Sequence, residues 1–276
     1  MPGHIPCSVN MLTRNSAATL PAALASVSEF AEIVVGDGRS TDATRSIAAE
    51  YGCRIIEQDT RYTDDAGRLL NFAAARLQLI AASSYDWVLY LDSDELLGPA
   101  TAGTIAQVLG AGAPPDVGAY SLQAKHVVNG VTIEDESKFG GKDPRLFLRS
   151  AVADFVGFAD ERLELRPGYR VQELDATFLK PLPPVRHLVL KWIRYLRVFA
   201  GEALAKGPEW TDQELPRRKS AIRWLLKGWR DARRRGHPSR MPFRYEAAQI
   251  LLASGIYGTL RLVRLRQRLG RKQPTR

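Results

Sequence analysis

Asp92-Ser93-Asp94-Glu95 places three carboxylates within four residues, directly after the uncharged run Trp87-Val88-Leu89-Tyr90-Leu91. Carboxylates that close repel one another and are costly to desolvate, so something positive has to meet them. A hard divalent cation, Mg²⁺ or Mn²⁺, is the simplest answer, because it takes oxygen ligands and keeps positions open for substrate phosphates. The competing reading is a helix N-terminus, with Asp92 or Ser93 as cap and Asp94 and Glu95 facing the helix dipole. The run before the acids suits a strand buried on both faces of a parallel sheet.

Other elements must hold that strand. Ile5 to Leu12 reads as a first strand ending at Thr13-Arg14-Asn15, with Ser16 capping a helix over Ala17 to Phe30 that tolerates Pro21 in its first turns. Glu32 to Val35 is a second strand, Ala43 to Tyr51 a helix closed by Gly52, and Cys53 to Glu57 a third strand. Strand and helix in alternation predict an α/β fold with a parallel sheet. Such sheets bind ligands beyond the carboxyl ends of their strands, so Thr13, Asp37 and Asp92 are expected to converge on one crevice.

The chain of 276 residues has ordinary globular composition, 45% hydrophobic and 25% charged. Its net charge of +9 is unevenly spread: residues 186–276 hold 23 basic against 6 acidic side chains, +17, leaving −8 for residues 1–185. The acidic part suits a cation and a small-molecule site; the basic part suits phosphates, anionic lipid or nucleic acid. Cys7 and Cys53 lack Cys-x-x-Cys spacing and predict buried free thiols, and Met1 to Pro6 has no signal-peptide pattern, which predicts a cytoplasmic protein.

The loop Gly36 to Asp42 lacks Gly-x-Gly-x-x-Gly, as does the turn after Leu12, which disfavours a dinucleotide enzyme. Asp42 is expected to cap the following helix, and Asp37 to point into the crevice. Farther on, Arg68 and Asn71 are three residues apart and share one face near the start of an alanine-rich helix. There a guanidinium could grip a phosphate while the amide reads a base or ribose; two solvated first-turn residues are the plainer alternative.

Taken together, Ile5 to Asn15, Glu32-Ile-Val-Val-Gly-Asp37, Ser40-Thr-Asp-Ala-Thr44 and Val88-Leu-Tyr-Leu-Asp-Ser-Asp-Glu95 resemble the nucleotide-sugar half of family 2 glycosyltransferases of the GT-A fold, over roughly residues 5 to 97. The resemblance implies that Thr13 lies beside the nucleotide base, that Asp37 contacts uracil and that Arg68 contacts the nucleotide; Asn15, Asn71, Asp92 and Ser93 are the further residues expected to bind the nucleotide sugar. It makes Asp92-Ser93-Asp94 the Asp-x-Asp motif, Asp94 a direct ligand of Mn²⁺ or Mg²⁺, and Asp92 a neighbour of ribose or metal. Where the family commonly has Asp-Ser-Gly-Ser-Thr-Asp, this chain has Asp37-Gly-Arg-Ser-Thr-Asp42.

An acceptor hydroxyl attacking the sugar needs a base, expected within residues 98–185. There Val117 to Val128, Asn129-Gly130 and Val131 to Ile133 predict a hairpin, and Lys142 to Arg149 a further strand. Arg145-Leu-Phe147 followed by Phe158-Ala-Asp-Glu-Arg-Leu163 resembles the branch that builds core sugars of bacterial lipopolysaccharide, where a His-Glu pair follows the Arg-Leu-Phe strand. That points to Glu161 as base and Asp160 as second choice; an exposed acidic loop paired with Arg162 is the structural alternative. Glu134-Asp-Glu136 is a third candidate for the base, with a solvated turn as its plainer reading, and His126 and His187 read as structural.

Residues 1–185 are thus expected to be a GT-A catalytic domain, with a nucleotide-sugar half to residue 97 and an acceptor half after it. Residues 186–276 would be a basic helical extension. Lys191, Arg194 and Arg197 share a face of Leu188 to Leu204, and Trp224 and Trp229 stand among Arg223, Lys227 and Arg230, a pattern for helices lying on anionic lipid or packing on the catalytic domain. Ala247 to Leu260 is uncharged but too short to span a bilayer, and Arg261 to Lys272 reads as a basic tail. No nucleic-acid recognition module is apparent. The expected function is metal-dependent, inverting transfer from a UDP-linked donor to a glycan or lipid-linked acceptor of the cell envelope, at the inner face of the cytoplasmic membrane. A soluble transferase acting on a small molecule or peptide, and a non-catalytic nucleotide-sugar-binding membrane scaffold, are the alternatives.

Overall fold

The structure is a computed structural model that describes residues 4–63, 69–133, 141–156, 162–236 and 241–270. Two compact units emerge: residues 1–127 with 140–181, and residues 128–139 with 182–276.

The first unit is built in the expected α/β order: β1 (Ile5–Thr13), α1 (Leu20–Ala25), β2 (Phe30–Asp37), α2 (Thr44–Glu50), β3 (Arg54–Glu57), α3 (Phe72–Ala82) and β4 (Trp87–Tyr90). It continues with β5 (Leu96–Leu97), α4 (Thr101–Ala111), β6 (Val117–Val128), β8 (Lys142–Leu148), β9 (Val152–Val156), β10 (Arg162–Leu165) and β11 (Arg170–Pro181), while the short β7 (Val131–Thr132) falls in the stretch counted with the second unit. The main sheet runs β3-β2-β1-β4-β8-β6-β11-β5, with β7 paired to β6, while β9 and β10 form a separate antiparallel pair. β1 to β4 are mutually parallel; β8 lies antiparallel between β4 and β6.

Strand β4 shows why the first four strands read as they do. Its successive side chains point to opposite faces, and both faces are covered. Val88 joins Ala73 and Ile80 of α3, Phe147 and Phe155 on one side, while Leu89 joins Leu20 and Leu24 of α1, Ile105 of α4 and Tyr120 on the other. Cys7 lies in this core and Cys53 packs against it; burial raises the Cys53 thiol to about 11 and that of Cys7 further.

Some elements differ from the sequence expectation. Helix α1 is only six residues long and starts at Leu20, because Pro21 takes the first turn, where its missing N–H is harmless. Ser16 does not cap it: the Ser16 carbonyl accepts from Thr19 and Leu20 while its hydroxyl turns elsewhere. The hairpin turn holds, with Asn129 and Gly130 both at positive φ (52° and 78°), the pair of values a two-residue turn between right-twisted strands demands.

The second unit is helical. α5 spans Val185–Arg235 and breaks at Gly207 (φ 80°), and α6 spans Phe243–Gly270. Gly207 stops one helix at φ 80° and ψ −174°, a backbone region that essentially only glycine enters, and Pro208 starts the next. Phe199 and Ala203 before the break, with Trp210 and Leu215 after it, pack on Ile256, Leu260 and Val263 of α6. The expected basic tail is therefore helix as far as Gly270. No helix among the described residues is long and apolar enough to cross a membrane.

Candidate active site

The loops after β1, β2 and β4 meet at the carboxyl edge of the sheet. Thr13 and Asp37 end their strands side by side in register, and Thr13 Oγ1 donates to Asp37 Oδ1 at 3.4 Å. Asn15, at positive φ (51°), accepts the Thr41 N–H on Oδ1 at 2.8 Å and donates its own N–H to Ser40 Oγ at 2.9 Å. Asp42 is not the cap expected, since Ala43 holds the N-cap position of α2, but it accepts the N–H groups of Ala17 and Thr44 just before the helix, and the Thr44 hydroxyl bond foremost holds its carboxyl below the usual range. Ser16 Oγ then lies 2.9 Å from Ser93 Oγ, tying the first loop to the acidic turn.

Two candidate residues sit differently from expectation. Asp37 is fully buried rather than turned into an open crevice: its carboxylate takes Ser40 N–H at 3.1 Å, Ser40 Oγ at 2.6 Å and Arg45 Nη1 at 3.2 Å. A charge buried that completely has to be saturated by donors, and the turn Gly38–Thr41 supplies them. Asn71 precedes the helix instead of lying on its face, and its Oδ1 caps α3 by accepting the Ala74 N–H at 3.0 Å. Arg68, Asp160, Glu161 and Glu134-Asp135-Glu136 lie outside the described residues.

At Asp92-Ser93-Asp94-Glu95 the helix-cap alternative fails: Leu96–Leu97 pairs with β11 as a strand, and α4 begins only at Thr101. The four residues form a tight turn in which Glu95 N–H donates to Asp92 O at 2.9 Å and Glu95 Oε2 accepts Asp92 N–H at 3.1 Å. Asp94 is exposed at the tip, the Asp92 side chain is 39% exposed, and Glu95 is buried.

The protein itself meets part of this acidity. Arg76 of α3 reaches Asp92 Oδ1 at 3.3 Å and lies 3.6 Å from the Tyr90 ring centre. Arg145 of β8 grips Glu95 with both terminal nitrogens (2.8 and 3.2 Å), and Lys180 of β11 approaches Glu95 Oε1 at 3.3 Å. Burial pushes the Asp92 carboxyl up, but Arg76, then Arg145 and Lys180, outweigh it and hold it below the usual carboxylate value. Burial and the Asp92 charge push Glu95 up, against Arg145 and Lys180.

None of these three cations has a site role in the sequence reading above, where Arg145 enters only as the first residue of Arg145-Leu-Phe147. One signal was there: Arg145 directly precedes the apolar run Leu146-Phe147-Leu148, and a charge drawn into a buried strand has to have a partner. Nothing local to Arg76 or Lys180 names Asp92 or Glu95, which stand far off in the chain.

Among the described residues no group of three or more His, Cys, Asp or Glu side chains forms a ready metal cage. Two carboxylates on one turn, with substrate phosphates and water completing the shell, are the donor set that Mg²⁺ or Mn²⁺ accepts. Asp94, from its exposed position, and Asp92 fit that role.

Residues 8–116 match the family model described as Glycosyl transferase family 2. The match runs from within β1 to just past α4 and contains Thr13, Asn15, Asp37, Asn71 and Asp92-Ser93-Asp94. Over 91 residues the chain is 43% identical to a TPR repeat-containing protein of Synechococcus elongatus, covering 33% of this chain and 21% of that protein. Glucosyl-3-phosphoglycerate synthase from Mycobacterium tuberculosis, solved with Mn²⁺, UDP and glucosyl-3-phosphoglycerate, is 24% identical over 45% of this chain and 44% of its own, with a TM-score of 0.32. S. aureus TarS is 16% identical over 94% of this chain and 54% of its own, with a TM-score of 0.48. The chain thus spans about a fifth of the cyanobacterial relative and about half of each solved protein.

Proposed function

We propose that this chain is a divalent-metal-dependent, inverting glycosyltransferase that takes a sugar from a UDP-linked donor. The acceptor is a glycan or lipid-linked molecule of the cell envelope, as in the branch that builds lipopolysaccharide core. One observation carries this reading: within the family 2 match, a strand buried on both faces delivers an exposed Asp94 and a half-exposed Asp92 on a turn braced from behind. Asp94 and Asp92 would hold Mn²⁺ or Mg²⁺, which neutralises the negative charge that grows on a departing nucleoside diphosphate. Thr13 and Asn15 frame the nucleotide, buried Asp37 holds the Ser40 turn through the Ser40 N–H and hydroxyl, Ser93 fixes the acidic turn to the first loop, and Arg68 and Asn71 flank the donor. Glu161, or Asp160 beside it, takes the proton of the acceptor hydroxyl.

The site is proposed to work at an anionic membrane surface. What supports this is α6: Leu251, Leu262, Leu265 and Leu269 are 71%, 70%, 55% and 59% exposed, recur at helical spacing along one face, and have Arg261 and Arg266 exposed beside them.

Hydrolysis of UDP-sugars in the presence of Mn²⁺ tests the enzymatic reading. Asp94→Ala is expected to lower the rate by roughly two to three orders of magnitude, the loss typical of removing one stabiliser of developing charge. A rate equal to that of the unaltered protein would rule it out.

A further inference from the structure

We infer that the buried Arg145–Glu95 pair is a positioning clamp that sets the Asp92–Asp94 turn for metal binding, with Lys180 as its third member. The inference rests on the proposed metal reading of that turn. Glu95 closes the turn twice, through its N–H on Asp92 O and its Oε2 on Asp92 N–H, so the orientation of its carboxylate fixes the backbone that carries Asp92, Ser93 and Asp94. Arg145 fixes that carboxylate in turn. Its guanidinium takes both oxygens in the fork geometry that only arginine offers, and lies 4.3 Å from the ring centre of Tyr90 and 4.1 Å from that of Phe178.

Position in the sheet explains why this arginine can reach. The antiparallel register of β4 and β8 sets Leu89 opposite Leu146, which brings Arg145 alongside Tyr90, two residues before Asp92. Both partners are almost fully enclosed, with side-chain exposures of 3% for Arg145 and 4% for Glu95. Arg145 Nε meets no acceptor among the described residues, so the two bonds to Glu95, the flanking rings and a longer ion pair from Nη2 to Asp143 at 3.6 Å do the holding. An ion pair taken this far out of water is a poor stabiliser compared with apolar side chains of the same volume, and what it does supply is a single geometry. Here that geometry is handed directly to the turn bearing the proposed ligands, as outer-shell partners orient metal ligands elsewhere.

The test is Mn²⁺ binding to the full chain, read by electron paramagnetic resonance of free Mn²⁺ with UDP present, for the unaltered protein, Glu95→Gln and Arg145→Lys. Glu95→Gln keeps shape and an acceptor for the Asp92 N–H but loses the charge that Arg145 grips; Arg145→Lys keeps charge but loses the fork. Each is expected to weaken Mn²⁺ by roughly 10- to 100-fold, and excess Mn²⁺ is expected to restore kcat, which a merely unstable protein would not regain. Circular dichroism checks folding, and if Arg145→Lys does not fold, Lys180→Met replaces it with the same direction expected. Folded variants that bind Mn²⁺ within about twofold of the unaltered protein overturn the clamp. If the unaltered protein itself binds no Mn²⁺, the metal reading falls instead, and the clamp with it.

Discussion

A histidine enclosed in β6 stays neutral for a physical reason that has a measurable consequence. His126 is 7% exposed, and burial first, then the Lys180 charge, push its pKa down to about 4, with Asp143 pulling the other way. The unfolded chain, titrating near its ordinary value of about 6.5, takes up a proton that the folded chain refuses between those two values. Stability is therefore complete above about pH 6.5 and declines as pH falls toward 4, by about 2 kcal/mol at pH 4.5. Urea unfolding at pH 7 and 4.5 should show a decline smaller by about that amount in His126→Leu than in the unaltered protein; equal declines would contradict the assignment. At this scale the sequence announced the acids better than their partners. Asp92 and Asp94 follow an apolar ramp and are read at once, and an isolated His126 reads as structural. Asp37 was read as facing a crevice because nothing in Gly36-Asp37-Gly38 says which way a side chain turns at a strand end; Arg45, eight residues later, decides it.

Among the elements, β5 is the least legible and among the most constrained. Two leucines after an acidic turn carry no period, and their strand exists only because β11, some eighty residues later, offers an edge. Gly98 follows β5 and donates its N–H to Thr177 O at 2.8 Å. A Cβ there would stand 2.0 Å from Thr177 Oγ1 and 2.7 Å from the Thr177 carbonyl oxygen, and a backbone atom cannot step aside as a side-chain tip can. Gly98→Ala is expected to destabilise the protein by about 3 kcal/mol, the upper range for overpacking, visible as a lower urea midpoint; an unchanged midpoint would mean the strands separate freely. By contrast β1 to β4, α2 and the Asn129-Gly130 hairpin were readable, because local period and turn chemistry specify them. The helix expected over Ala17 to Phe30 shrank for lack of any signal to end it early. The helices expected over Leu188 to Leu204 and Ala221 to Arg235 proved to be parts of a span broken only at Gly207, because nothing between 208 and 220 forbids a helix except Pro216, which this helix accommodates.

For the molecule as a whole, the division of charge sets the expectation. Residues 186–276 carry +17, and the exposed leucines of α6 lie within that stretch. Apolar side chains framed by arginines bind anionic bilayers by two additive effects, hydrocarbon burial and attraction to headgroups. The full chain is expected to float with vesicles containing anionic phospholipid and to stay behind with neutral ones. Leu262→Asp with Leu265→Asp alters exposed positions only, so the fold should persist while vesicle affinity falls roughly a hundredfold, the loss expected for about two buried leucines. Flotation of this double variant equal to that of the unaltered chain would show that α6 is not the contact.

The break at Gly207 has its own consequence for how the helical unit comes together. Both arms of α5 press on the same face of α6, and the chain joining them is a single glycine in a conformation no helix uses. The crease therefore acts as a tether that lets the two arms meet, Arg218 of the second lying 4.8 Å from the Phe199 ring centre of the first, while both rest on α6 as their template. Two polypeptides parted at that glycine would still carry every apolar surface needed to find one another.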